Sequence, residues 1–231
     1  MPTTTKKTTT TAAAAATAAP KKSKPVSQSA KSDQKRGEIM RVATEIINAR
    51  SFAQATVIDI AAALNLRDAT LYHYFPDKLS LAYACHRNSL ERFETMLIAT
   101  DQAGGTGVHK LRQFIRTMFD DSSANGPLLY FGDFSYLHAP QRKIIAAWGA
   151  RLRGHLVRFL REGMADGSII QCEPELVVHL LIGMLIWLGK WVPDVQGLTV
   201  DRLMVAIDAV AFRGLDKSTT ALIQHNKKDQ K

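Results

Sequence analysis

The sequence predicts an all-α protein of about nine helices, with a small head near the start of the chain and a larger helical body after it. Beyond residue 36, apolar residues recur at the three- and four-residue spacing of helices that bury one face. Glycine, proline or asparagine stands at most breaks between these segments, as expected where helices end. With 46% apolar residues in 231, the chain can form one or two packed domains.

Residues 1–34 differ from this pattern and are predicted to be a disordered basic tail. They consist mainly of Thr, Ala, Lys, Ser and Pro and offer too little apolar surface to offset chain entropy. Residues 1–36 hold eight Lys and Arg against one Asp, a net of +7, which leaves +2 of the formal +9 for the rest. No secretory or transit signal is recognisable, and two distant cysteines suit a reducing cytoplasm.

The first helix of the head is predicted over residues 37–50. Ile39, Val42, Ala43, Ile46 and Ile47 share one face of such a helix. The pair Ser51-Phe52 follows it, and Phe52 is predicted to fill the core of the head.

Residues 55–78 predict two short helices joined by a tight turn. Thr56 can cap the first helix, which covers residues 57–64, because its hydroxyl can accept a bond from a free amide. Asn65 suits the turn, since asparagine tolerates left-handed backbone geometry. The second helix covers about residues 68–75, with Asp68 as the predicted N-cap, and Pro76 ends it.

This outline is typical of a helix-turn-helix, in which the second helix enters the DNA major groove. A simple helical hairpin has the same outline. The face of the second helix favours DNA binding, because Leu71 and Phe75 can anchor it while Thr70, Tyr72, His73 and Tyr74 cover the exposed arc.

The residues of this motif resemble the signature of the tetracycline-repressor (TetR) family of transcriptional regulators. The likeness extends from about Lys35 to Phe93 without a gap, whereas the rest of the chain is similar only in general layout. It implies a DNA-binding head of three helices, residues 35–95, on a ligand-binding and dimerisation body, residues 96–215, before a flexible end, 216–231. The matching residues are Thr56-Val57, Asp59-Ile60-Ala61, Thr70-Leu71-Tyr72-His73-Tyr74-Phe75 and Lys78.

The resemblance assigns DNA contacts residue by residue. It implies that Thr56, Tyr72 and Lys78 face phosphates, and that Arg67, Asp68, Ala69, Thr70 and His73 face the groove or its edge. Arg67 suits either guanine or a phosphate, and Asp68 suits capping better than contact. A half-buried place on the helix flank is the alternative for His73. The basic tail is either a solubilising leader or an arm that neutralises phosphates.

The body begins with a connecting helix over residues 77–100 and a flexible turn at residues 104–107, which lacks the Lys-Ser/Thr pair of a phosphate loop. Further helices are predicted over residues 108–120, 140–166, 174–189 and 199–213. An aromatic segment, 128–138, lies between the first two and either fills the core or lines an apolar cavity. The candidate ligand-binding residues are Phe114, Met118, Phe131, Phe134, Trp148, His155, Phe159 and Trp187.

The helices over residues 174–189 and 199–213 have more apolar surface than one chain of this size can cover. The first is apolar nearly all round, apart from His179, but Lys190 comes too early for a membrane span. Pairing both helices with their copies across a two-fold axis would form a four-helix bundle, in which Gly183 allows close approach. His179 has no second ligand at the spacing of a metal site.

These features predict a cytoplasmic homodimer that binds a palindromic double-stranded operator and is released by a small apolar effector. The ending from Trp191-Val192-Pro193 to Gly214-Leu215 is similar to that of family members that sense fatty acyl thioesters, so such a thioester is a candidate effector. A broad, apolar drug-like or lipid-like molecule is the alternative effector. We expect no enzyme activity, cofactor, metal or membrane partner, because no catalytic or metal-ligand pattern is recognisable. The alternatives are a helical protein that only binds a small molecule, and DNA binding without sequence preference through the tail.

Overall fold

The computed structural model describes residues 1–3, 28–129 and 133–213 of the chain, and within these ranges it is all-helical and contains no strand. This confirms the predicted fold class. A 3-10 turn, Val192–Asp194, follows the seventh helix, and a π-helical turn, Asp208–Phe212, continues the eighth. The helices are α1 Gln28–Arg50, α2 Val57–Ala63, α3 Asp68–Tyr74, α4 Lys78–Ala103, α5 Gly107–Asn125, α6 Ala139–Asp166, α7 Pro174–Trp191 and α8 Val200–Ile207.

Helix α1 begins at Gln28, earlier than the predicted start at Gly37. Its first turns belong to the segment that the sequence assigns to the disordered tail. The side chains of residues 29–34 are exposed, so they add nothing to the apolar period, which starts at Ile39. Periodicity therefore cannot detect them. The predicted disorder of the remaining tail and of residues 216–231 falls on residues 4–27 and 214–231, outside the described residues.

The head is built from α1, α2, α3 and the first turns of α4 around one apolar core. Phe52, predicted to fill this core, is only partly buried and packs at its edge. Leu129, from the loop after α5, lies within it instead, fully buried. The core residues from the four helices are Ile39, Val42, Ala43, Ile47, Ile60, Ala61, Leu71, Leu81, Ala82 and Cys85.

Helix α4 connects the head to the body, as predicted. Leu81 and Cys85, near its start, belong to the head core, whereas Phe93 and Leu97 belong to the body core. In the body, α5 packs on α4 and α6, α7 packs on α6, and α8 packs on α5. At one end of α5 the backbones nearly touch, because a Cβ on Gly107 would lie 2.1 Å from the backbone nitrogen of Gly163.

Three arginines of α6 form ion pairs while their side chains stay partly exposed to solvent. Arg158 binds Asp101 at 2.7 Å and Glu162 at 2.7 Å, and Lys110 binds the same two carboxylates. This cluster, defined by Asp101, Lys110, Arg158 and Glu162, joins the ends of α4, α5 and α6. Arg151 and Arg161 also pair, with Glu94 and Glu175.

Helix α7 buries only part of its surface within one chain. Val178, Leu181 and Leu188 are buried, while Leu180 and Trp187 are 66% and 64% exposed. Val205 and Val210 of the last turns are similarly exposed. By length and composition, α7 is the one helix among the described residues that could cross a membrane. Its packing on α6 makes it a body helix with one uncovered apolar face.

Candidate nucleic-acid interface and ligand cavity

Thr56 is the N-cap of helix α2, as predicted. Its hydroxyl accepts a hydrogen bond from the amide of Asp59 at 3.0 Å, and the Asp59 carboxylate accepts one from the Thr56 amide at 3.1 Å. The bond that the Thr56 hydroxyl donates to the Asp59 carboxylate at 2.7 Å, and the one from the Thr56 amide, lower the pKa of Asp59. This reciprocal cap fixes the first turn of the helix.

Two residues of the head have left-handed backbone geometry. Asn65 has φ 53° in the turn between α2 and α3, as predicted, and Ser51 has φ 76° at the end of α1. The amide of Leu66 donates back to the Ala61 carbonyl at 2.8 Å. The turn therefore ends α2 tightly, and α3 packs against α2.

Helix α3 is preceded by Arg67 as its N-cap, and Asp68 is already its first helical residue. The prediction that Asp68 is the N-cap is wrong. The Arg67 carbonyl accepts the first bond of the helix, from the Thr70 amide at 2.9 Å, and the Arg67 side chain makes no cap bond. The Asp68 carboxylate lies in the first turn instead, where the helix dipole favours negative charge.

The outer face of α3 is open to solvent. Leu71 and Phe75 are both 1% exposed and hold the helix on the head core. Arg67, Asp68, Ala69, Thr70, Tyr72 and His73 are exposed. The exposure of His73 removes the half-buried alternative for this residue. The side chains that the sequence nominates for groove contact thus share one accessible surface.

Lys78 lies in the first turn of α4, whose start is capped by Asp77 and Ser80. Its ammonium is 4.2 Å from the centre of the Phe52 ring and 3.4 Å from the Ala53 carbonyl oxygen. Partial burial lowers its pKa. A cation is therefore held beside the free amides of a helix start, which is an arrangement that suits a phosphate.

Arg36 supports α3 from behind, a role that sequence analysis missed. Its guanidinium donates to the Tyr74 carbonyl at 2.9 Å and lies 4.1 Å from the centre of the Phe75 ring. In the sequence, Arg36 is only the last of the eight basic residues in residues 1–36. Only the fold brings it to the end of α3, 38 residues further along the chain.

A cavity of about 710 Å³ lies between head and body. Helix α1 of the head contributes Glu45, Asn48 and Ala49 to its wall. The remaining residues come from the body helices and the loop after α5. They are Phe93, Met118, Phe119, Ser122, Pro127, Leu128, Leu129, Ile182, Leu185, Ile186, Leu188, Gly189, Lys190, Val192, Asp194 and Leu203. The wall is mainly apolar, as ligand-binding cavities are.

Of the eight candidate ligand-binding residues, Met118 lines this cavity. Phe114 and Phe159 are buried in the body core, and Trp187 is largely exposed. Trp148 donates to Glu94 at 3.0 Å, and His155 lies 3.4 Å from Arg158. Phe134 lines a second cavity of about 90 Å³. Phe131 lies outside the described residues.

Sequence analysis chose aromatic residues, whereas the wall is formed largely by aliphatic residues of α7 and of the loop after α5. Ile182, Leu185 and Ile186 belong to the helix whose apolar surface is continuous in the sequence. No sequence signal separates its cavity side from its exposed side. Among the described residues, no group of three or more His, Cys, Asp and Glu could hold a metal ion.

A helix-turn-helix with an exposed second helix, carried on a helical body with a large apolar cavity, defines a DNA-binding protein of the ligand-sensing type. Two family models match the chain: "Bacterial regulatory proteins, tetR family" over residues 39–85 and "Tetracyclin repressor-like, C-terminal domain" over residues 104–215. The chain belongs to the TetR family of transcriptional regulators. This confirms the family that the motif residues resemble.

Solved structures share this fold at low sequence identity. The ketosteroid transcriptional regulator KstR2 of Mycobacterium tuberculosis is 19% identical with a TM-score of 0.68, over 79% of this chain and 95% of that one. AibR, in complex with isovaleryl coenzyme A and operator DNA, is 22% identical with a TM-score of 0.62, over 74% and 95%. PfmR from Thermus thermophilus is 22% identical with a TM-score of 0.62, over 78% and 99%. No curated protein sequence matches the chain.

Proposed function

We propose that this regulator is a cytoplasmic homodimeric repressor that binds a palindromic operator and is released when a small apolar molecule occupies the cavity. The observation that carries the proposal is the composition of the cavity wall. Because Glu45, Asn48 and Ala49 come from α1, an occupant touches the DNA-binding head directly as well as the body. A ligand that fits one head position better than another shifts the population toward that position.

DNA contact is assigned to the exposed face of α3 and to the two helix starts beside it. Arg67, Ala69, Thr70 and His73 reach base edges or the groove wall, while Thr56, Tyr72 and Lys78 bind phosphates. The Thr56 hydroxyl already accepts the cap bond, so its role is to place the free amides of α2 beside a phosphate. The Asp68 carboxylate stabilises the start of α3 through the helix dipole and repels a phosphate at its position.

The uncovered face of α7 and the last turns supports the homodimer. Leu176, Leu180, Gly183 and Trp187 follow one another at four-, three- and four-residue spacing along α7, and all are exposed. A Cβ added to Gly183 would meet no atom within 4 Å, so a partner helix can approach this position closely. Pairing these helices with their copies gives a four-helix bundle and two heads related by a two-fold axis.

A fatty acyl thioester remains our candidate effector. The wall is mainly apolar, and its polar side chains are Glu45, Asn48, Ser122, Lys190 and Asp194. An acyl chain suits the apolar part, and the side chains of Asn48 and Lys190 carry donors of the kind that a thioester carbonyl accepts from. AibR, which shares the fold, is known bound to isovaleryl coenzyme A and operator DNA.

Selection from a random-sequence pool of DNA duplexes tests this proposal. The full-length protein should enrich a palindrome, and footprinting should show protection of two half-sites about one helical turn apart. Enrichment without a shared sequence would indicate binding through the basic tail alone. Absence of any DNA retention would favour a protein that only binds a small molecule.

A further inference from the structure

Tyr136 connects the cores of the head and the body. Among the described residues, it is the one partly buried side chain that packs against both cores. Its ring stacks on Phe52 of the head, with 3.7 Å between centroids and 5° between planes. Its hydroxyl lies 2.8 Å from Nε2 of His86, a fully buried residue of α4. Tyr136 is thus fixed by two partners from different parts of the chain.

The backbone before Tyr136 is also bound to the head and to α4. We use "junction segment" for residues 126–129 and 133–138. The side-chain amide of Asn48 in α1 donates to the Leu128 carbonyl at 2.8 Å. The backbone amide of Leu129 donates to the Ser89 hydroxyl in α4 at 2.8 Å. Pro127, Leu128 and Leu129 line the large cavity. The junction segment therefore includes part of the cavity wall as well as Tyr136.

The Phe52 ring has a second neighbour besides Tyr136. The Lys78 ammonium lies 4.2 Å from its centroid, within the range of a cation–π interaction, and 3.4 Å from the adjacent Ala53 carbonyl. Phe52 belongs to the short non-helical turn between α1 and α2, directly after the left-handed Ser51. The stack on Tyr136 and the edge of the head core therefore hold this ring, and the ring and the Ala53 carbonyl together hold the lysine.

We propose that Tyr136 is a positioning residue for DNA binding, which holds the Lys78 ammonium in its phosphate-binding place through the Phe52 ring. The inference rests on the proposed function, in which Lys78 binds a phosphate. It adds a body residue that contacts no DNA yet sets the geometry of a DNA contact.

A double-mutant cycle on the full-length chain tests this role, because it isolates the coupling between two residues. The substitutions are Tyr136→Leu, Lys78→Met and both together, and the readout is affinity for the selected duplex. We expect each single substitution to weaken binding about five- to tenfold, as for loss of one phosphate contact. The double variant should bind within about twofold of Lys78→Met alone, since Tyr136 acts through Lys78.

Two further variants separate positioning from general damage. Tyr136→Phe keeps the stack on Phe52 and should bind the duplex as the wild type does. Tyr83→Leu makes the same substitution at a partly buried tyrosine of α4 that packs on the body core but not on the head core, and should also leave affinity unchanged. If Tyr136→Leu unfolds, Phe52→Leu replaces it in the cycle with the same expected non-additivity.

The outcomes distinguish this inference from the proposed function. Wild-type protein that enriches no duplex overturns the proposed function and the inference with it. If the wild type binds the duplex but the effects of Tyr136→Leu and Lys78→Met on affinity multiply in the double variant, the inference alone is overturned. Unchanged affinity in Tyr136→Leu overturns it as well. A loss in Tyr83→Leu equal to that in Tyr136→Leu also contradicts it, because the effect would then be general.

Discussion

Tyr136 and His86 form a hydrogen bond of 2.8 Å between a segment of the body and the helix that connects head and body. Burial lowers the pKa of His86 to about 4, so its imidazole is neutral at physiological pH. Within the described residues, its other ring nitrogen, Nδ1, has no hydrogen-bond partner. The Tyr136 hydroxyl is therefore the partner on which the buried imidazole depends.

Removing this hydroxyl should destabilise the protein. For Tyr136→Phe we expect a loss of about 1–2 kcal/mol in the free energy of unfolding, because a buried imidazole loses its hydrogen bond while the packing of the ring is kept. Urea denaturation of both proteins measures it. Tyr72→Phe is the control, since Tyr72 is 49% exposed, and its effect should stay below about 0.5 kcal/mol. Equal stability of wild type and Tyr136→Phe would contradict the assigned bond.

The DNA-binding residues should separate into two classes. Thr70→Ala and His73→Ala are expected to cost about 1–3 kcal/mol on the selected duplex and little on random DNA, because they remove contacts to base edges. Lys78→Met should weaken binding to both duplexes and lower the salt dependence by about one phosphate contact. Fluorescence anisotropy across a salt series gives both quantities. The assignment fails if Lys78→Met changes only sequence preference.

The ion-pair cluster of Asp101, Lys110, Arg158 and Glu162 should make stability depend on acid pH. Hydrogen bonds from Arg158 and Lys110 lower the pKa of Asp101 to about 2. The stabilisation by this group is therefore complete above the unfolded pKa of about 4 and is lost as the pH falls through 2.

Asp101→Asn should remove that contribution. We expect a loss of about 1 kcal/mol at pH 6, a modest value because the pairs are partly exposed to solvent. The difference from wild type should shrink between pH 4 and pH 2, as measured by thermal unfolding. Asp33→Asn in the exposed first turns of α1 is the control. A difference that is constant with pH would refute the assigned shift.

Filling the cavity should abolish ligand response without abolishing DNA binding. Leu185 lines the cavity, and Leu185→Trp places a larger ring inside it. We expect this variant to bind the selected duplex as the wild type does, but to lose the release caused by dodecanoyl coenzyme A. Ile144→Trp, at a position 50% exposed on α6, is the control and should keep the response. Release of wild type and Leu185→Trp at the same concentration would exclude this cavity as the effector site.

Local sequence signals are sufficient to predict much of the motif. Thr56 and Asn65 are predictable because a cap hydroxyl and a left-handed turn residue act within a few positions of the chain. Gly167 is predictable for the same reason and ends α6 with left-handed geometry. The face of α3 follows from spacing alone, since Leu71 and Phe75 are four residues apart.

Contacts between distant segments are not predictable from the sequence. Tyr136 meets Phe52, and Arg36 meets Tyr74, only because the chain folds back, and nothing near these residues signals the partner. Sequence analysis places the cavity on aromatic residues for a related reason: Phe114 and Phe159 satisfy the composition of a pocket equally well when they fill a core. The apolar face of α7 is recognisable, but its division into a cavity side and an uncovered side requires the structure.

The central claim is that two copies of the chain place two heads on one operator, and the mass of the protein–DNA complex tests it most directly. Sedimentation equilibrium should give a mass for the complex that corresponds to the selected duplex plus an even number of chains. Leu180→Glu on the uncovered face of α7 should be monomeric and bind at least tenfold more weakly, whereas Ile98→Glu, at an exposed position of α4, should behave as wild type. A complex containing a single chain, or a Leu180→Glu monomer with full operator affinity, would contradict the account.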